Sequence, residues 1–209
     1  MSSEPEKKRT RVSCETTLVP MEDMDDDDLI ELFSICRSPS LMFYIGESEP
    51  WSLEYIVQLR KWAKKDAAEP SPRDYFSWGV AEVIPMSDRK PPANADPAEF
   101  APRTRRIVGY LGLRPTKDRA MPGLQIRIVI AKEYQGKGHA RRAIMQSADI
   151  YFKDRSERPC SLWSVVHKEN KASQALFAKC GFVKCGEKLF KSSPIPEDVY
   201  RLDLPIKKD

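Results

Sequence analysis

Apolar residues recur along this chain with two spacings, one near two residues and one near three and a half, and the stretches alternate. Residues 16–19, Thr-Thr-Leu-Val, are β-branched and apolar and predict a first strand. Behind the acidic run at 25–28, Leu29, Ile30, Leu32, Phe33 and Cys36 repeat at helical spacing. Ser52 is placed as an N-cap ahead of Leu53, Ile56, Leu59 and Trp62, the apolar side of a second helix. Strands follow at 76–84, 107–113 and 125–131. A helix at 141–152 then sets Ala140, Ala143, Ile144, Ser147, Ala148 and Tyr151 on one face. Residues 162–166 form another apolar strand, and a short helix runs from 171 to 180. Gly181 stops that helix, Phe182 opens a further strand, and 199–204 is the last. The predicted order is β-α-α-β-β-β-α-β-α-β-β, with no internal repeat.

Composition bounds this picture without altering it. A chain of 209 residues suits one domain, here 14–209, preceded by a polar tail at 1–13 whose Lys7-Lys8-Arg9-Thr10-Arg11 reads as solvated or as an import signal. Residues 85–105 hold five prolines between two strands and are far longer than a hairpin loop, so they are expected to be an insertion. A net charge of +4 is too small and too dispersed to indicate nucleic acid. No run approaches 18 apolar residues, so no membrane span is expected. The five cysteines form no Cys-x-x-Cys pair and, without a recognisable leader, predict reduced thiols in the cytoplasm. Two histidines and scattered cysteines make no metal constellation. The acids at 25–28 complement a helix dipole; a cation-attracting rim is the other reading.

The chemistry is concentrated at 135–140, Gln-Gly-Lys-Gly-His-Ala, between a strand and a helix. Two glycines remove side chains where a backbone must approach a ligand, and the next helix aims its unpaired N–H groups outward. Such a terminus suits a phosphate or diphosphate, and Lys137 adds charge. The chain has no Gly-x-x-x-x-Gly-Lys-Ser/Thr loop, and Gly136-x-Gly138 lacks the third glycine of a dinucleotide fold. A tight turn with no ligand is the other reading of the hexapeptide.

Read as Gln135-x-x-Gly138-x-Ala140, the hexapeptide resembles the coenzyme A diphosphate loop of the GNAT superfamily of N-acetyltransferases. About 35 residues on, Asn170-x-x-Ser173, Leu176-Phe177 and Lys179-Cys180-Gly181-Phe182 resemble that superfamily's second signature. The resemblance covers roughly residues 15–204, is strongest over 124–183, and is nearest to the ribosomal-protein N-terminal acetyltransferase (Rim-type) branch. It implies an α/β (α+β) fold, with a mixed sheet of about seven strands and about four helices. It also implies acetyl-CoA as cosubstrate and no metal.

The same resemblance assigns roles by residue. Backbone groups of Ile128, Val129 and Ile130 would pair with the pantetheine arm as an added strand does, an N–H of Val129 or Ile130 polarising the acetyl carbonyl. Gln135, Gly136, Lys137, Gly138, His139 and Ala140 would hold the diphosphate, His139 through its backbone alone, with the Gln135 and Lys137 side chains in support. Asn170 would bond the pantetheine and Phe177 would pack near the thiol. Many members carry Tyr where this chain has Phe177. Ser173 is then the candidate proton donor to the leaving thiolate, its other reading being a first-turn serine bonded to backbone.

Gln125 stands where related enzymes often place Glu, and it can hold a water or an amine but cannot take a proton. Glu82 is the substitute base if it faces the site. His167, in the turn before Asn170, reads as solvated or as a proton relay. Direct transfer to a primary amine follows, because no residue reads as an activated nucleophile. Without a strong base the expected acceptor is a protein or peptide N-terminal amine. The alternatives are a small amine (polyamine or aminoglycoside-like) or a non-catalytic coenzyme A-binding module. A monomer or homodimer is expected, without nucleic acid or membrane as partner.

Overall fold

A computed structural model describes residues 15–43, 49–68, 75–85, 88, 103–116, 118–153, 161–189 and 195–203. The predicted tail at 1–13, most of the predicted insertion and Leu204 lie outside the described residues. Seven strands form one sheet: β1 Thr16–Pro20, β2 Phe76–Val83, β3 Arg105–Pro115, β4 Leu124–Ile130, β5 Ser161–Val166, β6 Val183–Lys188 and β7 Glu197–Asp203. Their spatial order is β1-β2-β3-β4-β5-β7-β6, and every neighbouring pair is antiparallel except β4 with β5. Five helices flank the sheet: α1 Asp26–Cys36, α2 Pro39–Phe43, α3 Leu53–Ala68, α4 His139–Lys153 and α5 Lys171–Lys179. The expectation of about four helices is corrected by α2, whose five residues are too few to show a helical period.

The pleat sends alternate side chains to two cores. On one face, Val80, Leu111, Leu113, Ile126 and Leu162 pack with Ile144, Ala148 and Tyr151 of α4 and Phe177 of α5. On the other, Tyr110 and Val129 pack with Leu29, Leu32 and Ile35 of α1, Met42 of α2 and Ile56 of α3. A fully buried aliphatic side chain such as Ile144 contributes roughly 1.5–3 kcal/mol. The predicted apolar side of α3 is only partly covered, for Ile56 is buried while Leu53 and Trp62 stay exposed.

The acidic start of α1 is structural. Asp25 caps the helix by accepting from the Asp28 N–H at 2.8 Å, and Asp28 reciprocates in a capping box. The Asp28 carboxylate is fully buried and ion-paired with Arg103 and Arg105, while Glu31 accepts from Arg103 and from the Ile107 N–H at 2.7 Å. Residues at the end of the predicted insertion therefore bind α1 to the start of β3.

What positions the site is a break in the sheet. β4 and β5 pair only at Leu124 with Leu162 and Gln125 with Trp163; beyond that the parallel ladder stops, and 126–130 have no strand on that side among the described residues. Two parallel strands that part toward their C-terminal ends leave a wedge, the place where α/β sheets receive ligands.

Candidate active site

The loop after β4 is built to expose amides. A 3-10 turn at Lys132–Tyr134 leads into Gly136 (φ 75°) and Gly138 (φ 86°), both in the left-handed region where a side chain is strained. With the chain so turned, the N–H groups of residues 136–141 find no acceptor among the described residues; the first N–H to do so is that of Arg142, on the Gly138 carbonyl at 3.2 Å. Consecutive unpaired amides at the positive end of α4, with Gly136, Lys137 and Gly138 exposed, fit a diphosphate.

Side chains of the loop depart from the expectation. The Gln135 amide donates to the Ile130 carbonyl at 3.0 Å, closing the end of β4 rather than reaching outward. The Lys137 ammonium lies over the Tyr134 ring, 4.6 Å from its centre. His139, expected to contribute backbone alone, has a buried ring with Nδ1 2.8 Å from Thr16 Oγ1 and Nε2 3.7 Å from Glu82 Oε1.

The ladder between β3 and β4 decides which β4 amides face the wedge. The Ala131 N–H donates to the Val108 carbonyl at 2.9 Å, and these two residues are opposite in register. Antiparallel pairing alternates, so the backbone groups of 125, 127 and 129 also point to β3, while those of 126, 128 and 130 point to the wedge. Of the expected trio, Ile128 and Ile130 offer their amides to a ligand; Val129 uses its own within the sheet.

Across the wedge, β5 ends at the start of α5. The Asn170 side chain caps α5 by accepting from the Ser173 N–H at 3.0 Å. Its Nδ2 makes no hydrogen bond to the described residues, and the capping contact accounts for Asn at this position. The Ser173 hydroxyl, half-buried, makes no hydrogen bond to the described residues, so the backbone-bonded reading of that serine is not realised. Phe177 is a core residue instead of a wall of the wedge: it is 3 % exposed and its ring packs on Phe182 and Tyr200.

Gln125 lies on the face of β4 shared with Val129, at the last rung before the strands part. Glu82 lies on the opposite side, against the first turn of α4, and does not replace a base beside Gln125. Neither β4, Leu-Gln-Ile-Arg-Ile-Val-Ile, nor β5, Ser-Leu-Trp-Ser-Val-Val, carries a carboxylate. His167 accepts the Glu169 N–H at Nδ1, 3.2 Å, and its ring meets Phe43 at 5.6 Å. In that tautomer Nε2 bears the proton, which suits donation rather than abstraction. Cys180 is buried, and burial pushes its thiol up, away from the thiolate an acyl carrier needs. Among the described residues no group of three or more His, Cys, Asp or Glu could hold a metal.

Sequence reasoning missed Thr16, Arg142 and Gln146, which converge beneath the loop. Thr16 is 123 residues from His139, and no local pattern signals such a partner.

An amide cradle at a helix start, set beside a wedge with backbone donors along one wall, fits an acyltransferase that works from an acylated coenzyme A. The chain belongs to the GNAT acetyltransferases: the acetyltransferase (GNAT) domain family matches residues 17–183. It is an acetyl-CoA-dependent N-acetyltransferase. A comparison with curated protein sequences found no match. Among solved structures, a domain from Methanocaldococcus jannaschii is similar at a TM-score of 0.59 and 16 % identity, over 91 % of this chain and 99 % of that one. A spermidine N-acetyltransferase from Vibrio cholerae, solved with CoA and spermine, is similar at 0.59 and 20 % identity, over 90 % and 94 %. Among the described residues no helix is long and apolar enough to cross a membrane.

Proposed function

We propose that the acceptor is the α-amine of a protein or peptide, as in the Rim-type branch that the Asn170-x-x-Ser173 pattern resembles. The observation carrying this reading is the absence of any carboxylate on β4 and β5, with Gln125 at the base of the wedge. Freeing a lysine-like amine of its proton at pH 7.4 costs roughly 4 kcal/mol, an α-amine only about 0.5 kcal/mol. Strands that bring no carboxylate base to the wedge favour the second kind. Gln125 orients the amine or a water that takes its proton. The Ile128 and Ile130 amides hold the thioester arm, and the Ile130 N–H supports negative charge on the carbonyl oxygen as the amine attacks. The new bond is C–N and the broken one C–S; Ser173 gives its hydroxyl proton to the departing thiolate and regains one from water.

The loop amides at 136–141, with Lys137 beside them, hold the diphosphate and so place the acyl end in the wedge. The similar Vibrio cholerae protein is a spermidine N-acetyltransferase, and the primary amines of spermidine are alkylamines of the costly kind. The test is thiol release from acetyl-CoA at pH 7.4 with three acceptors: peptides with free N-termini, Nα-blocked peptides containing lysine, and spermidine. Turnover on free N-termini at least tenfold above the other two is the expected result; preference for spermidine or lysine overturns it.

A further inference from the structure

Of residues 135–140, only His139 turns a side chain fully inward, and what it meets there is a chain of polar groups leading back to the loop. Arg142 Nε is a donor only, so Thr16 Oγ1 accepts from it at 2.8 Å. The threonine's own proton is thereby left for its other neighbour, and His139 Nδ1, also at 2.8 Å, is within reach to accept it. In that arrangement the imidazole is neutral with its proton on Nε2, which is buried and faces Glu82 Oε1 at 3.7 Å. Thr16 is held in turn by Gln146, whose amide donates to its carbonyl at 2.9 Å. Arg142, anchored at Nε, donates from Nη2 to the Lys137 carbonyl at 3.0 Å. Its Nη1 lies 2.8 Å from where a Cβ on Gly138 would stand.

We propose that His139 is a positioning residue for the coenzyme: as a buried neutral acceptor it orients Thr16, Thr16 orients Arg142, and Arg142 fixes the Lys137 carbonyl so that the amides of 136–141 face the diphosphate. The groups facing the imidazole are Glu82 from β2, Thr16 from β1, Arg142 from α4, Lys137 from the loop and the Tyr134 ring, whose centre is 6.3 Å away. Burial holds the His139 pKa below the ordinary histidine range; Glu82 opposes this, and Arg142 and Lys137 reinforce it. The chain is thus intact at neutral pH and is lost as the pH falls through that lowered value. Protonation would reverse the bond to Thr16, turning its hydroxyl away from the arrangement of the neutral state, and would place a third cation beside Arg142 and Lys137.

The experiment is calorimetric titration of acetyl-CoA from pH 8 to 5 into the wild type, His139→Leu and His139→Asn, with steady-state kinetics alongside. Leucine removes the acceptor and is expected to weaken binding about tenfold at pH 8, raising KM for acetyl-CoA with little change in kcat. Asparagine can accept through Oδ1 near the place of Nδ1 and is expected to recover most of that loss. It does not titrate, so its pH profile contains only the coenzyme's own phosphate ionisation, near pH 6. Relative to that profile, wild-type affinity should fall on acidification. Parallel wild-type and asparagine profiles would overturn the proposal, as would leucine binding like wild type. So would a wild type that tightens in acid, since an imidazolium drawing the diphosphate directly has the opposite sign. Should His139→Leu fail to fold by thermal melt, the comparison of wild type with His139→Asn decides alone.

Discussion

Replacing Gly138 with alanine isolates the conformational demand of the loop. Gly138 holds φ 86°, where an L-residue is disfavoured by about 1–2 kcal/mol. The added Cβ would also stand 2.8 Å from Arg142 Nη1, a guanidinium restrained by Thr16 and the Lys137 carbonyl. The loop is exposed at Gly136, Lys137 and Gly138, so that side of it is free to relax. Relaxation toward negative φ turns the peptide planes that carry the N–H groups of 138 and 139, and restoring them on binding returns the strain to the binding equilibrium. A cost of 1–2 kcal/mol corresponds to an acetyl-CoA Kd about 5- to 30-fold weaker. Gly136→Ala is the internal comparison: φ is 75°, but nothing lies within 4 Å of the new Cβ, so it carries the backbone cost without the steric one. Calorimetry on both variants should therefore rank affinity as wild type, then Gly136→Ala, then Gly138→Ala, with melting temperatures nearly unchanged. If Gly138→Ala binds within twofold of wild type and melts at the same temperature, the reasoning from left-handed glycines to a diphosphate cradle is refuted.

Two further substitutions probe the other half of the site and the frame beneath it. Ser173→Ala is expected to lower kcat about 10- to 100-fold while KM for acetyl-CoA stays near wild type, measured by thiol release at saturating acceptor; an unchanged kcat would return Ser173 to a helix residue without a role. Asp28→Ala removes a capping box and leaves Arg103 and Arg105 without their shared carboxylate, at a cost of about 3 kcal/mol. That corresponds to a melting temperature lower by roughly 10 °C, and a shift under about 3 °C would show that the cluster is dispensable.

The order of elements was legible because strands and helices here carry clean periods, and Gly181 marks a helix end that the structure confirms with a Phe182 N–H to Phe177 carbonyl bond at 3.0 Å. The turned backbone at 136–138 was legible because glycine spacing reports such conformations directly. What sequence could not show were relations across space. The acids at 25–28 read as dipole partners, yet Asp28 is buried between arginines more than 70 residues away. Phe177 sits in a motif and was expected near the thiol, but its ring turns into the core against Tyr200. Gln135 is another motif position whose side chain serves the fold, through Ile130. Val129 was grouped with its neighbours because a run of three apolar residues does not reveal which backbone groups the adjacent strand takes.

That last point explains how one strand serves two substrates without interference. Along β4 the main-chain groups of even-numbered residues point in the plane of the sheet toward the wedge, while odd-numbered side chains, beginning with Gln125, point out of the plane toward α1 to α3. On the proposed reading the coenzyme arm is thereby met by backbone, which mutation alters little, and the acceptor side by side chains, which mutation alters freely. On the same reading, a carboxylate in place of Gln125 would change the amine that the site favours and leave the thioester's contacts as they are. The proposed acceptor follows from this division: with coenzyme recognition held in the main chain and a glutamine at position 125, the burden of deprotonation would fall on an acceptor that sheds its proton near neutral pH.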